Sequence, residues 1–316
     1  MVALRVNAST RESYGKTLLE MAEEFPDIVV LGGDLNVSVF THLWRDKYPQ
    51  RFYDFGPSEQ NLIGVAAGMA ASGKIPFVST FAVFGVGRPF DQLRVLVAQP
   101  HLNLKLVCTH AGILTGEDGM SAHGIEDLAL TCALPGFTVV SPADALETAQ
   151  VIRAAAATPG PFYVRLSRAA IPVVHGPDYR FKLGCAETLR EGHDLTIIAT
   201  GVMVSVSLDA AGLLAERGLS ARVLNLHTLK PVDQEAITAA ARDTGAIVTA
   251  EEHYIHGGLG SIVAQVVGRH CPAPVEMVAL EGYAESGPAA ELMVKYGLTP
   301  QRVAEAAQRA VARKGG

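Results

Sequence analysis

Charged side chains are scarce in this 316-residue chain. Asp, Glu, Lys and Arg together make up 18% of its residues, against about 25% in a typical globular protein. The formal net charge is −6, and no segment concentrates Lys or Arg as a nucleic-acid or anionic-membrane surface would. We therefore expect neither nucleic acid nor a membrane as a partner, and any anionic ligand must be held by a local cluster of side chains.

Cysteines and long apolar runs are also few. The four cysteines are widely spaced and form no C-x-x-C pair, which favours reduced thiols in the cytoplasm over a disulfide framework. No apolar run approaches the ~18 residues of a membrane span, and the N-terminal segment lacks the apolar core of an export signal. The scarcity of charge leaves two interpretations open: a subunit with a permanent interface, where charge is depleted, or a compact α/β enzyme rich in Ala and Gly.

Short β-branched segments alternate with longer helical patterns, which predicts βαβ units around parallel sheets. In the first half the predicted strands are 28–34, 76–82, 104–110, 137–142 and 161–167, and the predicted helices are 10–24, 58–72 and 143–157. In the second half the predicted strands are 195–201, 221–229, 246–253 and 275–281, and a last helix begins at Thr299 and Pro300.

Residues 171–184 carry Pro, Gly and isolated charges without the period of a strand or a helix, so they are predicted to be a linker. The expected fold class is therefore α/β, with two doubly wound domains at 1–175 and 185–316. Ligands of such sheets bind beyond the carboxyl ends of the strands, and the candidate residues below are taken from those loops.

Glu59 opens a predicted helix whose following residues are almost wholly small and apolar. The ordinary explanation of such a carboxylate is that it complements the helix dipole. In a dry pocket, however, its pKa would rise and the carboxyl group could donate a hydrogen bond. Phe81 and Phe84 lie three residues apart beyond a strand end, and they could either stack on a flat heterocycle or simply pack in the core.

A Gly-rich loop after the strand 104–110 contains three further polar candidates, namely His110, Asp118 and His123. Loops of this kind often carry function-bearing residues, although a lone loop histidine is more often exposed than catalytic.

Four residues each lie just past a predicted strand or at a helix start, so the fold could bring them to one rim: Arg11, Ser38, His110 and Arg168. The planar fork of arginine suits the oxygens of a phosphate. Surface solvation is the ordinary explanation for either arginine taken alone.

Five short motifs follow one another in the first half of the chain. They are F-G-x-x-E-Q-N from Phe55, G-x-A-x-G-x-A from Gly64, S-T-F-x-x-F from Ser79, D-Q-L-R from Asp91 and T-H-x₅-G-E-D-G from Thr109. This series resembles the pyrimidine-binding domain of the transketolase family. The region from Glu187 onward resembles the C-terminal domain of the same family, so the resemblance spans nearly the whole chain.

The resemblance implies that Glu59 is a catalytic residue that binds thiamine diphosphate. In the family, the matching glutamate hydrogen-bonds N1′ of the aminopyrimidine ring and favours the imino tautomer, whose 4′-nitrogen removes the proton from C2 of the thiazolium ring. Phe81 and Phe84 match the aromatic residues that pack on the aminopyrimidine. The third aromatic residue of the family falls near Gly87, so part of that wall is missing.

The resemblance also implies substrate-binding residues. Asp118 and His123 match residues that bind sugar hydroxyl groups, and His123 is also counted as catalytic. Four residues separate the two here, where the family usually has three, which indicates an altered substrate pocket. The terminal phosphate of a sugar phosphate is bound in the family by residues that match Arg11, Ser38, His110 and Arg168.

One expected element is absent from the sequence. Family members hold the diphosphate through a divalent metal, with a G-D-G motif followed by an Asn pair, and this sequence has neither. A multiply charged diphosphate needs Mg²⁺ or equivalent donors, so we expect no metal ligand here and a partner chain that mainly holds Mg²⁺ or Ca²⁺. The resemblance thus implies one half of a split transketolase, a dimer of heterodimers that transfers a two-carbon ketol unit between sugar phosphates.

Other functions stay open at this point. One is another thiamine enzyme subunit, either a 2-oxoacid dehydrogenase β-subunit, which the predicted phosphate-binding residues disfavour, or a deoxyxylulose-phosphate synthase-like fragment. Another is a non-catalytic partner subunit, which Glu59 and the two phenylalanines disfavour. The Gly-rich segment 251–261 lacks the glycine spacing of nucleotide-binding loops, so we expect close packing of the backbone there, at a domain or subunit contact.

Overall fold

The first half of the chain builds a mainly parallel sheet with helices on both faces. The computed structural model describes residues 6–314. The strands of this half are β1 (Asn7–Ser9), β2 (Ile28–Gly32), β3 (Phe52–Asp54), β4 (Ile75–Ser79), β5 (Lys105–Cys108), β6 (Thr138–Val140), β7 (Phe162–Arg165) and β8 (Ala170–Pro172). The helices are α1 (Thr10–Glu20), α2 (His42–Lys47), α3 (Glu59–Ala71), α4 (Phe90–Gln92), α5 (Asp127–Ala133) and α6 (Ala145–Ala157).

The second half repeats this architecture with a smaller sheet. Its strands are β9 (Glu187–Arg190), β10 (Leu195–Ala199), β11 (Ala221–Asn225), β12 (Thr228–Lys230), β13 (Ile247–Tyr254) and β14 (Val275–Leu280). Its helices are α7 (Met203–Glu216), α8 (Gln234–Thr244), α9 (Leu259–His270), α10 (Ala289–Lys295) and α11 (Pro300–Ala312). Within residues 6–314, no helix combines the length and the apolar character needed to span a bilayer.

The strand order of the larger sheet is β12-β6-β7-β5-β4-β2-β3, and that of the smaller sheet is β14-β13-β10-β11-β9. All neighbours pair in parallel except β12 with β6 and β9 with β11. The central strands are continuous apolar runs and are wholly buried, as in β2 and β10, because helices cover both faces of a parallel sheet. Strands β1 and β8 form a separate antiparallel pair.

The predicted α/β fold class with two doubly wound domains is confirmed, but two local predictions are wrong. The predicted strand 221–229 divides into β11 and β12, because the chain leaves the smaller sheet after Asn225 and pairs with β6 of the larger one. The predicted linker 171–184 begins inside β8, and three residues are too few for the period of a strand to be visible in the sequence. Thr299 caps α11 as predicted, since its side chain accepts a hydrogen bond from the Arg302 N–H group.

An apolar core cluster spans the two halves. The cluster that contains Leu62 and Val78 of the first half also contains Leu224 and Leu229 of the second. Because β12 is hydrogen-bonded into the larger sheet, the second half is anchored to the first by backbone pairing as well as by packing. The domain bounds of 1–175 and 185–316 stay a prediction. Strand β12 lies within 185–316 but pairs with β6 of the larger sheet, which the first half builds.

Candidate active site

The candidate residues collect beyond the carboxyl ends of the parallel strands in the larger sheet. Strands β2 and β4 are neighbours, and the chain leaves them towards opposite edges, to β3 and β5 respectively. A crevice opens at such a switch point, and ligands of open α/β sheets bind there. The loops after β2, β4, β5 and β7 line this edge of the sheet.

Glu59 is the first residue of α3, and its carboxylate is buried. The residue is only 4% exposed, and its Oε1 accepts a hydrogen bond of 2.8 Å from Nη1 of Arg88. The N-terminus of a helix favours a negative charge, and the apolar residues that follow, such as Leu62 and Ile63, are buried against the sheet. The carboxylate therefore combines an apolar setting with a single cationic partner in the structure.

Phe81 and Phe84 lie on the turn after β4 and form an aromatic wall. Their rings are nearly parallel, with centroids 5.9 Å apart. The imidazole of His110 stacks on Phe81 with centroids 3.5 Å apart, so one face of Phe81 is already covered. The guanidinium carbon of Arg88 lies 4.2 Å from the centroid of Phe84. Phe84 is only partly buried, and the arginine over its ring is the same one that pairs with Glu59.

Sequence reasoning missed Arg88. The residue follows a π-helical turn at Val83–Gly87, and such turns frequently mark functional sites. The available signal was an arginine four residues after Phe84, next to the glycine that replaces the third aromatic residue. Gly87 is exposed, and a Cβ atom there would meet nothing within 4 Å, so the space beside the wall is open.

The four predicted phosphate-binding residues come together at this edge. Nη1 of Arg11 donates a 2.6 Å hydrogen bond to the backbone oxygen of Ser38, so Ser38 contributes its carbonyl to this contact. Burial and the charge of Arg168 both lower the pKa of Arg11, which indicates that the two guanidinium groups are close. Arg168 in turn pairs with Glu117 at 3.3 Å. Two guanidinium groups near each other could hold the oxygens of an anion.

His110 is held neutral between these arginines. Burial and the charges of Arg11 and Arg168 lower the pKa of its imidazole to about 3. Nδ1 makes a 2.7 Å hydrogen bond with the Thr109 hydroxyl, which fixes the ring against Phe81. A neutral imidazole can offer one N–H to an anion while leaving the positive charge to the arginines.

Asp118 and His123 face different surroundings. Asp118 ends the 3₁₀ turn Ile113–Asp118 and is exposed, whereas His123 is buried. Nε2 of His123 donates to the carbonyl oxygen of Gly116 at 3.0 Å. Gly116 has φ +74°, and a Cβ atom there would lie 3.3 Å from Nη1 of Arg168, so a larger residue would push against the arginine. The structure thus places only Asp118 of this pair in contact with solvent.

Several buried polar atoms at this edge have no hydrogen-bond partner among residues 6–314. They belong to side chains just after β4 and β7, in the first turn of α1 and in the loop after β5, and they are Thr80 Oγ1, Ser167 Oγ, Arg11 Nε and His123 Nδ1. Buried polar groups are normally hydrogen-bonded. Unpartnered polar atoms at the edge of the sheet that also carries Glu59 and the aromatic wall fit the binding of a polar ligand.

The Gly-rich segment 251–261 is closed to a phosphate. Both oxygens of the buried Glu251 carboxylate accept hydrogen bonds from the first N–H groups of α9, those of Leu259 and Gly260, at 2.7 and 2.8 Å. A Cβ atom on Gly258 would lie 2.1 Å from Glu251 Oε2. The protein's own carboxylate thus occupies the helix N-terminus, which leaves no place there for a phosphate.

Two family models cover most of the chain. The transketolase pyrimidine-binding domain matches residues 7–173, and the transketolase C-terminal domain matches residues 184–303. The chain belongs to the transketolase family. The predicted resemblance is confirmed, and so are the two kinds of domain and their order.

Relatives of similar length carry the names of parts of transketolases. The chain is 40% identical over 299 residues to a "Putative transketolase C-terminal section" of Methanocaldococcus jannaschii, covering 93% of this chain and 94% of that protein. It is 40% identical over 305 residues to the "6-deoxy-6-sulfo-D-fructose transketolase subunit SqwH" of a Clostridium species, covering 96% and 95%. It is 38% identical over 299 residues to one subunit of the apulose-4-phosphate transketolase of Phocaeicola vulgatus, covering 94% and 96%.

The solved structures that resemble this chain are also transketolases. A structure described as "Split gene transketolase, inactive beta4 tetramer" superposes with a TM-score of 0.91 at 46% identity, covering 97% of this chain and 99% of that one. A Pichia stipitis transketolase in complex with sedoheptulose 7-phosphate gives a TM-score of 0.83 at 25% identity, and the match covers 98% of this chain but 46% of that one. The chain is therefore a transferase subunit that acts with a partner chain, and its family implies thiamine diphosphate and a divalent metal.

Proposed function

We propose that this chain is the subunit of a two-chain transketolase that binds the aminopyrimidine ring of thiamine diphosphate. The observation that carries the proposal is the buried carboxylate of Glu59 next to the partly buried ring of Phe84, at the switch point of the larger sheet. When bound, the cofactor supplies the chemistry that breaks and forms carbon–carbon bonds next to a carbonyl group. The chain itself supplies the orientation of the ring and a proton-holding group.

Glu59 is proposed to hold a proton at N1′ of the aminopyrimidine ring. A carboxyl group within hydrogen-bond reach of a ring nitrogen can hold a proton there. Phe81 and Phe84 stack on the ring and exclude water from it. The neutral His110 supports Phe81 from the other side, which fixes the wall at a rigid strand end.

The anion-binding edge is proposed to hold the terminal phosphate of a sugar phosphate. Arg11 and Arg168 bind the phosphate oxygens, and the neutral His110 donates a hydrogen bond. Ser38 orients Arg11 through its backbone carbonyl, at 2.6 Å from the guanidinium group. In the loop, the exposed Asp118 binds a hydroxyl group of the sugar, and His123 acts in substrate binding and catalysis through Nδ1, which has no other partner among residues 6–314. These residues favour a phosphosugar over a 2-oxoacid.

The partner chain is proposed to hold the diphosphate through Mg²⁺ or Ca²⁺, and the assembly is proposed to be a dimer of heterodimers in the cytoplasm. The sequence has no G-D-G motif with a following Asn pair. The match to a relative named "C-terminal section" and to the apulose-4-phosphate transketolase subunit extends over nearly their whole length, which supports a separate N-terminal subunit. The four cysteines are unpaired, which supports a reducing compartment.

The substitution Glu59→Gln tests this function. Glutamine keeps the size of the side chain and removes the titratable group, so ketol transfer by the reconstituted two-chain enzyme should fall by at least about 100-fold. The thermal unfolding of the subunit should show that it remains folded. The matched control is Glu235→Gln, an exposed acidic residue in the first turn of α8, which should leave transfer unchanged. Normal turnover in Glu59→Gln would remove this residue from the mechanism.

A further inference from the structure

Arg88 contacts both groups that would recognise the cofactor ring. Its Nη1 donates to Glu59 Oε1 at 2.8 Å, and its guanidinium carbon lies 4.2 Å from the centroid of the Phe84 ring. No other charged side chain of residues 6–314 makes an ion pair with Glu59. The Arg88 side chain therefore contacts the Glu59 carboxylate and the face of the Phe84 ring at the same time.

A guanidinium group resembles an aminopyrimidine ring in the features that matter here. It is planar, it presents N–H donors at its edge, and its face stacks on aromatic rings. The carboxylate of Glu59 and the face of Phe84 are the two contacts that the proposed function assigns to the aminopyrimidine. Two flat groups cannot stack on the same face of one phenyl ring.

We propose, on the basis of the function above, that Arg88 is a self-inhibitory residue whose guanidinium group fills the aminopyrimidine position in the free subunit. The cofactor ring enters only when this side chain leaves. The arginine thereby satisfies the buried charge of Glu59 until the cofactor replaces it.

The Arg88 side chain can leave the aminopyrimidine position without a change in the backbone. Its side chain is 51% exposed, whereas that of Glu59 is 5% exposed, so the arginine can turn into solvent while the carboxylate stays in place. The backbone oxygen of Arg88 accepts a hydrogen bond from Gln60 Nε2 at 3.3 Å, which ties the main chain to α3. Only the side chain needs to move. The open space at Gly87, with nothing within 4 Å of a Cβ atom there, leaves room for the exchange.

Competition between Arg88 and the cofactor raises the apparent Kd of the cofactor. The apparent Kd equals the intrinsic Kd divided by the fraction of subunits in which the site is open. A half-exposed ion pair and a stacked cation are each of modest strength. Together, the ion pair with Glu59 and the stacking on Phe84 should lower the apparent affinity of the cofactor by about 3- to 30-fold.

The test compares cofactor binding to the two-chain complex with and without the guanidinium group. Isothermal titration of thiamine diphosphate with Mg²⁺ should give a Kd about 3- to 30-fold lower for Arg88→Ala than for the wild type. Arg88→Lys keeps the charge but loses the flat group, so its Kd should lie between the two. The control is Arg153→Ala, which removes a 44% exposed arginine that pairs with Glu20 and Glu24 instead and should leave the Kd unchanged.

The stability of the free subunit gives a second readout. Arg88→Ala leaves the buried Glu59 without a cation, so this variant should unfold at lower denaturant concentration than Arg88→Lys, even though it binds the cofactor more tightly. An unchanged Kd, or a weaker one, in Arg88→Ala would overturn the inference while leaving the proposed function standing. If neither the wild-type complex nor the variants bound thiamine diphosphate, the proposed function itself would fail and the inference with it.

Discussion

At the scale of single residues, the structure adds to the sequence mainly by showing which side chains touch. The sequence indicated that the fold could bring Arg11, Ser38, His110 and Arg168 to one rim, because each lies just past a predicted strand or at a helix start. It could not show that Ser38 contacts Arg11 through its carbonyl or that His110 stacks on Phe81, since those contacts depend on rotamers and on backbone direction. His110 itself has a positive φ of 56°, which no sequence pattern predicts for a histidine.

Arg168 should contribute to substrate binding and little to the chemical step. Its guanidinium group binds a part of the substrate that does not react, so Arg168→Ala should raise KM for a phosphorylated ketose by about 10- to 100-fold. The turnover number kcat should change much less, because the lost interaction is the same in the ground state and the transition state. Steady-state kinetics of the reconstituted enzyme measure both constants.

Two comparisons make the Arg168 experiment specific. With an unphosphorylated sugar, the variant and the wild type should behave alike, and an equal loss with both sugars would contradict a phosphate-binding role. Arg45→Ala serves as the control variant, because Arg45 is 44% exposed and pairs only locally, with Asp46 at 2.9 Å.

At the scale of elements, the sequence predicted the long apolar strands well and the short pairings poorly. Strands such as β2 and β10 are mainly apolar runs whose burial the sequence already indicates. The pairing of β12 with the larger sheet depends on contacts between residues that are far apart in the sequence. For example, Nζ of Lys230 donates to the backbone oxygens of Cys132 and Leu134. Nothing near Lys230 in the chain signals that pairing.

The predicted linker also contains a buried polar network that joins the two halves. His175 lies between Asp144 of the first half, at 2.8 Å from Nδ1, and Glu187 of the second, at 2.9 Å from Nε2. Its side chain is 1% exposed. The other titratable groups around the imidazole are Glu147, Tyr179 and His227. Burial alone would lower the pKa of His175, but its hydrogen bonds to Asp144 and Glu187 outweigh it and raise the pKa to about 10.

This network predicts a stability that falls as pH rises. A histidine whose folded pKa lies above its unfolded value of about 6.5 stabilises the fold fully below pH 6.5 and loses that contribution as pH rises towards 10. His175→Gln should therefore lower the free energy of unfolding by about 3 to 5 kcal/mol at neutral pH, because it leaves a buried carboxylate unpaired. The difference from the wild type should shrink by up to about 1.4 kcal/mol per pH unit above pH 7.

Denaturant unfolding of both proteins between pH 6.5 and 10 measures this difference directly. Taking the difference cancels the groups that titrate in both proteins. His193→Gln is the matched control, because this histidine is 82% exposed and should show a small effect that does not change with pH. A constant loss of stability in His175→Gln across the whole range would show that the imidazole is not charged in the folded protein.

At the scale of the whole molecule, the chain is one part of a larger catalytic unit. It matches subunit-length relatives end to end, but it covers only 47% of the human transketolase-like protein 2, to which it is 36% identical. The scarcity of charge, 18% of residues, agrees with a protein that buries part of its surface against a partner. The sequence predicted a partner chain because it lacks the G-D-G motif and the Asn pair with which the family holds the metal.

The central claim is that this chain supplies the pyrimidine half of a cofactor site that a partner chain completes. The most direct measurement is calorimetric titration of thiamine diphosphate with Mg²⁺ into this chain, into the partner, and into their equimolar mixture. The account predicts tight binding, and turnover of sugar phosphates, in the mixture only. Tight binding and turnover with this chain alone would contradict it.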